Sequence, residues 1–172
     1  MNRGEILARA IGESWSYFVR YLNGFDDSNY TRQPPGLPNH VAWSPGHCAL
    51  TMHRAAERID GRPPPLIHFL DATRGDAHHF GSESVSFHSR PTGDPALYPS
   101  LSACVAVYDA ACTRFAAAVG AASESTLDER VKWGSTEVSI ESLVLRMVFH
   151  NGTHCGQIID LRRALGFGSI FR

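Results

Sequence analysis

The sequence predicts an all-α protein, a four-helix bundle with one long crossover connection. Four segments repeat apolar residues every three or four positions, which is the period of a helix that buries one face. The 172 residues are long enough to bury a core and are predicted to form a single domain, residues 1–172. Residues 61–93, between the second and third helices, are too many for an ordinary loop, so this segment is either a crossover or a lid.

The first two helices have recognisable ends. Helix one is predicted from about Glu5 to Leu22, and the following asparagine and glycine end it. Helix two is predicted to begin at Ser44-Pro45, because serine is a good N-cap and proline fits the first helical position. It runs to about Ile59, and Gly61 closes it.

The last two helices are separated by a hairpin pattern. Helix three is predicted from Asp94-Pro95 to Gly120, and helix four from about Ile140 to Leu165 with Ser139 as its cap. Two short alternating segments flank Gly134-Ser135 between these helices. They predict a short β-hairpin, residues 130–133 and 137–140.

The composition argues against several classes of protein. The chain has 16 basic and 17 acidic residues and a net charge of -1, so it lacks a basic field for nucleic acid and a polybasic run for an anionic membrane. No apolar run approaches the roughly 20 residues that span a bilayer, and residues 1–10 do not resemble a signal peptide. We therefore expect a cytoplasmic protein. Its four cysteines form no C-x-x-C pair and are predicted to be free thiols.

Two histidines lie on the core-facing stripe of helix four. His150 and His154 are four residues apart, so they share one face of the helix. An unpaired buried polar group costs roughly 1–3 kcal/mol, and one shared metal ion would satisfy both imidazoles. The alternative is that each histidine is hydrogen-bonded separately in the core. The stripe also contains Leu143, Met147, Ile158, Leu161 and Leu165.

His47 is the predicted third ligand. It lies in the first turn of helix two, on the same face as Trp43 and Leu50. His53 is rotated by about 120° from that face and is not expected to join it. A lone histidine in the position of His47 is more commonly structural, so its assignment depends on the pair in helix four. Four histidines in the long connection are expected to be solvated rather than ligands: His68, His78, His79 and His88.

Two motifs resemble those of the DinB family. Residues 39–47, Asn-His-Val-Ala-Trp-Ser-Pro-Gly-His, resemble the start of the family's second helix. Residues 150–158, His-Asn-Gly-Thr-His-Cys-Gly-Gln-Ile, followed by Leu161-Arg162 and Gly166, resemble its fourth-helix motif. The order and separation of the motifs also match, so the resemblance covers nearly the whole chain. Residues 61–93 are not part of the matching pattern.

The resemblance implies a metal site and a reaction class. Its histidine triad would be His47, His150 and His154, holding one divalent ion, zinc or nickel. It also implies a homodimer, for which apolar residues off the main stripes, such as Trp15 and Val105, are candidate contacts. The chemistry would be that of a thiol-dependent S-transferase or isomerase that uses a low-molecular-weight thiol such as bacillithiol or mycothiol.

Three protein ligands leave a coordination position free, which is typical of catalytic rather than structural zinc. A metal ion there lowers the pKa of bound water to about 7 and would likewise favour a thiolate. The site could therefore hydrolyse a substrate with hydroxide or attack an electrophilic carbon with a thiolate, and the resemblance favours the thiolate.

Three questions stay open at this point. A metal-stabilised bundle that only binds a small molecule or a partner is one alternative to an enzyme, and a bundle without metal is another. The sequence indicates no general base; Gln157, one turn beyond His154, is a candidate for orienting a ligand and equally a structural residue. Residues 61–93 are expected to pass beside the mouth of the site and help to set specificity for a small-molecule substrate, although a surface crossover without such a role would fit the same sequence.

Overall fold

In the computed structural model, which describes residues 2–71 and 75–170, long helices form the predicted bundle. The all-α prediction is confirmed, because the strands are short. The helices are α1 (Arg3–Tyr21), α2 (Trp43–Asp60), α3 (Leu101–Gly120), the short α4 (Glu124–Asp128) and α5 (Ile140–Ala164). The strands are β1 (Phe69–Leu70) and β2 (Phe80–Gly81), which pair in parallel, and β3 (Arg130–Trp133) and β4 (Thr136–Ser139), which pair antiparallel.

Side-chain contacts fix the directions of the helices. Contacts between α2 and α3 advance along both helices, so these two helices run parallel: Ala42 with Cys104, Met52 with Cys112, and Asp60 with Arg114. Contacts between α1 and α5 advance in the same way: Arg3 with Glu141, Ser14 with Asn151, and Tyr21 with Arg162. Two consecutive parallel helices require a connection that travels the length of the bundle. Residues 61–93 are therefore a crossover.

The start of α2 differs from the prediction. The helix begins at Trp43, one residue before the predicted serine cap, and its N-cap Ala42 offers no side chain. Instead, His40 Nδ1 accepts a hydrogen bond from the backbone N–H of Trp43 at 3.2 Å, and Ser44 Oγ donates back to the His40 carbonyl. His40 Nε2 then donates to the Thr92 carbonyl of the crossover at 2.9 Å. The buried His40 thus caps α2 and binds the end of the crossover to it.

The start of α3 was also predicted too early. Asp94 caps only a single 3-10 turn, residues Pro95–Leu97, by accepting from the backbone N–H of Ala96. Pro99 restricts the residue before it to extended backbone, and Tyr98 is extended. The α-helix therefore starts after the proline, where Ser100 caps it by accepting from the N–H of Ala103.

The C-terminal part of the chain confirms the predictions more closely. The predicted hairpin is present as β3 and β4. Ser139 caps α5 by accepting from the N–H of Ser142, and Gly166 follows the helix with a φ of 78°, a left-handed conformation that favours glycine. The short helix α4, capped by Ser123, was not predicted.

The bundle core contains aromatic side chains and all four cysteines. Phe18 of α1 packs on Tyr108 of α3 with ring centroids 4.4 Å apart, and both rings are buried. Cys48, Cys104, Cys112 and Cys155 are free and buried, as the sequence predicts. Within the described residues, the segment Pro95–Gly120 is apolar and long enough to cross a membrane by length and composition. In the structure its helix α3 packs between α1 and α2.

The crossover is held against the beginning of α2. Phe80 of β2 is fully buried, and its ring lies directly over Gly46. A Cβ atom on residue 46 would lie 2.5 Å from Phe80 Cε1, so only glycine permits this contact. The crossover can therefore approach the beginning of α2 at Gly46, the residue next to His47.

Candidate metal centre

The structure brings the three predicted histidines together. His47 projects from the first turns of α2, and His150 and His154 project from the middle of α5. His150 Nε2 lies 3.1 Å from His47 Nε2 and 3.2 Å from His154 Nε2. The three candidate ligand atoms all lie within 4.8 Å of one another. Among the histidine, cysteine and carboxylate side chains of the described residues, these three histidines form the group that lies close enough together to hold a metal ion.

Hydrogen bonds on the outer nitrogens turn two of these imidazoles toward a common centre. His47 Nδ1 donates to the Val85 carbonyl at 2.7 Å. His154 Nδ1 donates to Gln157 Oε1 at 2.8 Å, and the same oxygen accepts from Asn39 Nδ2 at 2.7 Å. Because each Nδ1 carries the proton, each Nε2 presents a lone pair to the centre. The role of Gln157 is therefore to orient a histidine.

The donor set fits a metal ion. Two lone pairs, from His47 and His154, point toward His150 Nε2, and a single N–H on that atom could satisfy only one of them. His150 Nδ1 is buried without a hydrogen-bond partner. An ion about 2.0–2.1 Å from each nitrogen, in tetrahedral geometry, would separate the nitrogens by about 3.3 Å. The observed separations of 3.1 and 3.2 Å are close to that value.

The surroundings keep the three imidazoles neutral. Burial lowers the pKa of His150 to about 4, with a further contribution from His47. Burial also lowers the pKa of His154 to about 3 and depresses the pKa of His47, to which the charge of Arg54 adds. The Trp43 ring stacks on His47 with centroids 4.2 Å apart and covers one face of it. Neutral imidazole is the form that binds a metal, so the site is ready to bind one near neutral pH.

A cavity of about 640 Å³ opens beside the triad, with His47 and His150 in its wall. The crossover contributes Ser86 and Phe87 to the lining, directly after the carbonyl of Val85 that binds His47. The crossover therefore passes beside the site, as expected, and does so at Val85, Ser86 and Phe87. The remaining lining comes from α2, the β3–β4 hairpin and Met147 of α5.

The other histidines lie elsewhere. His53 faces α3, where its Nδ1 accepts from Arg114 Nη1 at 3.2 Å, and its ring lies 5.7 Å from the ring of His68. His79 pairs with Asp76 inside the crossover. His53 is therefore off the ligand face, as the helical rotation predicts.

The sequence reasoning missed two partners of the triad. Val85 acts through its backbone carbonyl, which has no signature in the sequence. Asn39 belongs to the first motif but lies before α2, so the helical pattern gave it no role.

Replacing Gln157 by leucine is expected to weaken zinc binding by about 10–100-fold, the usual effect of losing an outer hydrogen-bond partner of a metal-binding histidine. Leucine removes the acceptor that keeps the proton on His154 Nδ1. Competition with a chromophoric chelator measures the affinity. The Gln157→Glu protein keeps an acceptor and should bind within a few-fold of the wild type. Unchanged affinity in the leucine variant would contradict the orienting role of Gln157.

Acidification is expected to destabilise the metal-free protein, partly through His53. Burial, the charge of Arg114 and the neighbouring His68 lower the pKa of His53 to about 3 in the folded state, against about 6.5 when unfolded. The folded-state pKa is the lower one, so the stabilisation is complete above pH 6.5 and is lost as the pH falls below it.

The size of this effect can be measured by urea denaturation at pH 7.5, 6.5 and 5.5. Between pH 7.5 and pH 5.5 a fully linked histidine contributes about 1.4 kcal/mol in total, because the unfolded-state pKa of about 6.5 lies in the middle of this range. The His53→Gln protein, which keeps an acceptor for Arg114, should lose less stability per unit than the wild type. An identical pH dependence in both proteins would show that His53 does not contribute.

Comparisons with known proteins agree with this geometry. Residues 10–158 match the sequence model of the DinB superfamily. A crystal structure described as a conserved protein from Enterococcus faecalis is similar to this chain with a TM-score of 0.72 and 14% sequence identity, covering 95% of this chain and 97% of that one. No curated protein matches the sequence. The structural similarity supports the fold, and the family match includes His47, His150 and His154. The chain belongs to the DinB superfamily.

Proposed function

We propose that this protein is a metal-dependent transferase or isomerase that uses a low-molecular-weight thiol and acts on a small molecule at the His47, His150 and His154 site. The observation that carries the proposal is the convergence of three histidine Nε2 atoms beside a cavity of 640 Å³, with His47 and His150 in its wall. When bound, a divalent ion such as zinc or nickel supplies Lewis acidity and stabilises a thiolate. With three protein donors, one position stays free for a thiol on the cavity side.

The residues around the triad have separate tasks in this proposal. Val85 and Gln157 hold the protons on the outer nitrogens of His47 and His154, and Trp43 covers one face of His47. Phe87 and Trp133 contribute apolar surface to the lining of the cavity. The thiol passes its proton to solvent as it ionises, its sulfur forms a bond to an electrophilic carbon, and the leaving group departs with the electrons of the bond that breaks.

The described lining of the cavity offers no general base close to the triad, which suits the thiol route. A hydrolase that assists its metal-bound water with a general base would place that base beside the triad, and Glu57 is the carboxylate that the described lining offers. Glu57 lies ten residues beyond His47 on α2, which is about 15 Å along the helix axis. That distance is too long for proton transfer at the triad. A thiol is acidic enough to ionise on binding a metal without a neighbouring base.

A panel of thiols tests the proposal. Protein purified without a metal-affinity column is first analysed for bound metal, and its turnover of an electrophile is then measured with bacillithiol, mycothiol, glutathione or no thiol. We expect a stoichiometric divalent ion and turnover that depends on one of the thiols. Turnover without a thiol would favour a hydrolase instead, and metal without any turnover would favour a bundle that only binds. Absence of metal would overturn all three.

A further inference from the structure

The far part of the same cavity carries an unbalanced positive charge. We propose that Arg54 and Arg58 of α2 and Lys132 of β3 form an anion subsite, so that the bound molecule carries a carboxylate or phosphate group. All three residues line the cavity beside the triad. This inference rests on the proposed function in one respect: the proposed function places the reacting end of the bound molecule at the histidines.

The helical repeat places the two arginines on the same side of α2 as His47. His47, Leu50, Arg54 and Arg58 follow one another at steps of three or four residues, and all line the cavity. Arg54 lies about 10 Å and Arg58 about 16 Å beyond His47 along the axis. Long side chains on a helix lean toward its N-terminus, which brings both guanidinium groups back toward the triad.

No protein group neutralises these cations. Among residues 2–71 and 75–170, the side chains of Arg54, Arg58 and Lys132 form no hydrogen bond or ion pair, and Glu57 is the carboxylate in the described lining. The described lining therefore contains three cations and one carboxylate. Other arginines of the chain are bound to carboxylates or carbonyls: Arg3, Arg62, Arg114, Arg162 and Arg163.

The lining of the cavity also contains large apolar side chains. Leu50 and Met147 lie beside the histidines, and Phe87 and Trp133 lie on the crossover and the hairpin. A molecule that fills the cavity would therefore have a thiol or electrophilic end at the triad, an apolar middle and an anionic end. Guanidinium groups bind carboxylate and phosphate through paired hydrogen bonds, so both kinds of anion suit the subsite.

Two thiols of equal length test the charge preference. The cobalt-substituted protein is titrated with 6-mercaptohexanoate and with 6-mercapto-1-hexanol, whose chains are long enough to carry the charged end away from the metal toward Arg54, and the sulfur-to-cobalt absorption is recorded. We expect the anionic thiol to bind at least about ten-fold more tightly, since hydrogen bonds to charged groups contribute about 1.5–3 kcal/mol. The Arg54→Gln/Arg58→Gln protein should lose this preference and keep its affinity for the neutral thiol. Arg9→Gln, which removes an exposed charge from α1, is the matched control and should keep the preference.

A second titration separates the subsite from the proposed function. The metal-free protein is titrated with inorganic phosphate and with butyrate, and amide shifts around the cavity are followed by NMR; the anion that binds more tightly identifies the group. If cobalt and the neutral thiol bind without any charge preference, the subsite is wrong and the proposed function stands. If no thiol binds cobalt but an anion binds the metal-free protein through the two arginines, the subsite stands and the proposed function fails.

Discussion

The His150→Ala protein is expected to bind zinc at least about 100-fold more weakly than the wild type, because losing merely an outer partner of a ligand already costs about 10–100-fold. His150 Nε2 lies between the other two donors, 3.1 Å from His47 Nε2 and 3.2 Å from His154 Nε2. Its removal leaves two donors that lie on different helices. Competition with a chelator measures the affinity, and thiol-dependent turnover should fall with it.

The fold of the His150→Ala protein should be preserved. His150 is only partly buried, and its Nδ1 has no hydrogen-bond partner among the described residues. Replacing it by alanine therefore removes no hydrogen bond at Nδ1. Circular dichroism and a urea transition close to that of the metal-free wild type would confirm this. The exposed His78, replaced by alanine, controls for the loss of an imidazole elsewhere and should leave metal affinity unchanged. Zinc affinity equal to that of the wild type in His150→Ala would rule out the triad as the metal site.

The sequence was sufficient to predict the triad because its evidence is local. His150 and His154 share a face of one helix through spacing alone, and the apolar residues on that face predict that it turns inward. His47 could be added because the start of α2 has a proline and a glycine that locate its first turn. Once the helices were placed along the chain, the long connection of residues 61–93 between α2 and α3 could be recognised from its length.

The remaining parts of the site depend on contacts distant in sequence. The carbonyl of Val85 binds His47 only because Phe80 packs over Gly46 and brings the crossover close. The cap of α2 was assigned to Ser44, whereas the His40 side chain, two residues before the N-cap Ala42, accepts from the first helical N–H; histidine is outside the usual set of capping residues. Propensities near a helix end cannot indicate such tertiary contacts. The basic part of the cavity lining was likewise not predicted, since Lys132 of the hairpin and the two arginines of α2 line one cavity only in the folded chain.

A second large effect is expected at the other end of α2, where Arg114 of α3 joins three elements. Its guanidinium donates to Asp60 Oδ1 at 2.8 Å and Oδ2 at 3.1 Å, to the carbonyls of Arg62 and Pro63, and to His53 Nδ1. Burial opposes ionisation of Asp60, but hydrogen bonds from Arg114 and Arg62 outweigh it and hold the pKa of the carboxyl well below its usual range. This network fixes the point where the crossover leaves α2.

The Arg114→Met protein is expected to lose about 3 kcal/mol of unfolding free energy, since removing one partner of a largely buried ion pair leaves Asp60 with only the exposed Arg62 as a charged partner. Arg62 offers a matched control, because it pairs with the same carboxylate but its side chain is 70% exposed, against 14% for Arg114. The Arg62→Met protein should therefore lose no more than about 1 kcal/mol. Urea denaturation of both metal-free variants at pH 7.5 gives the comparison. Equal and small losses would mean that the Arg114–Asp60 pair contributes no more than a surface ion pair. The packing of Phe80 over Gly46 would then be the contact that holds the crossover, and with it Val85, close to His47.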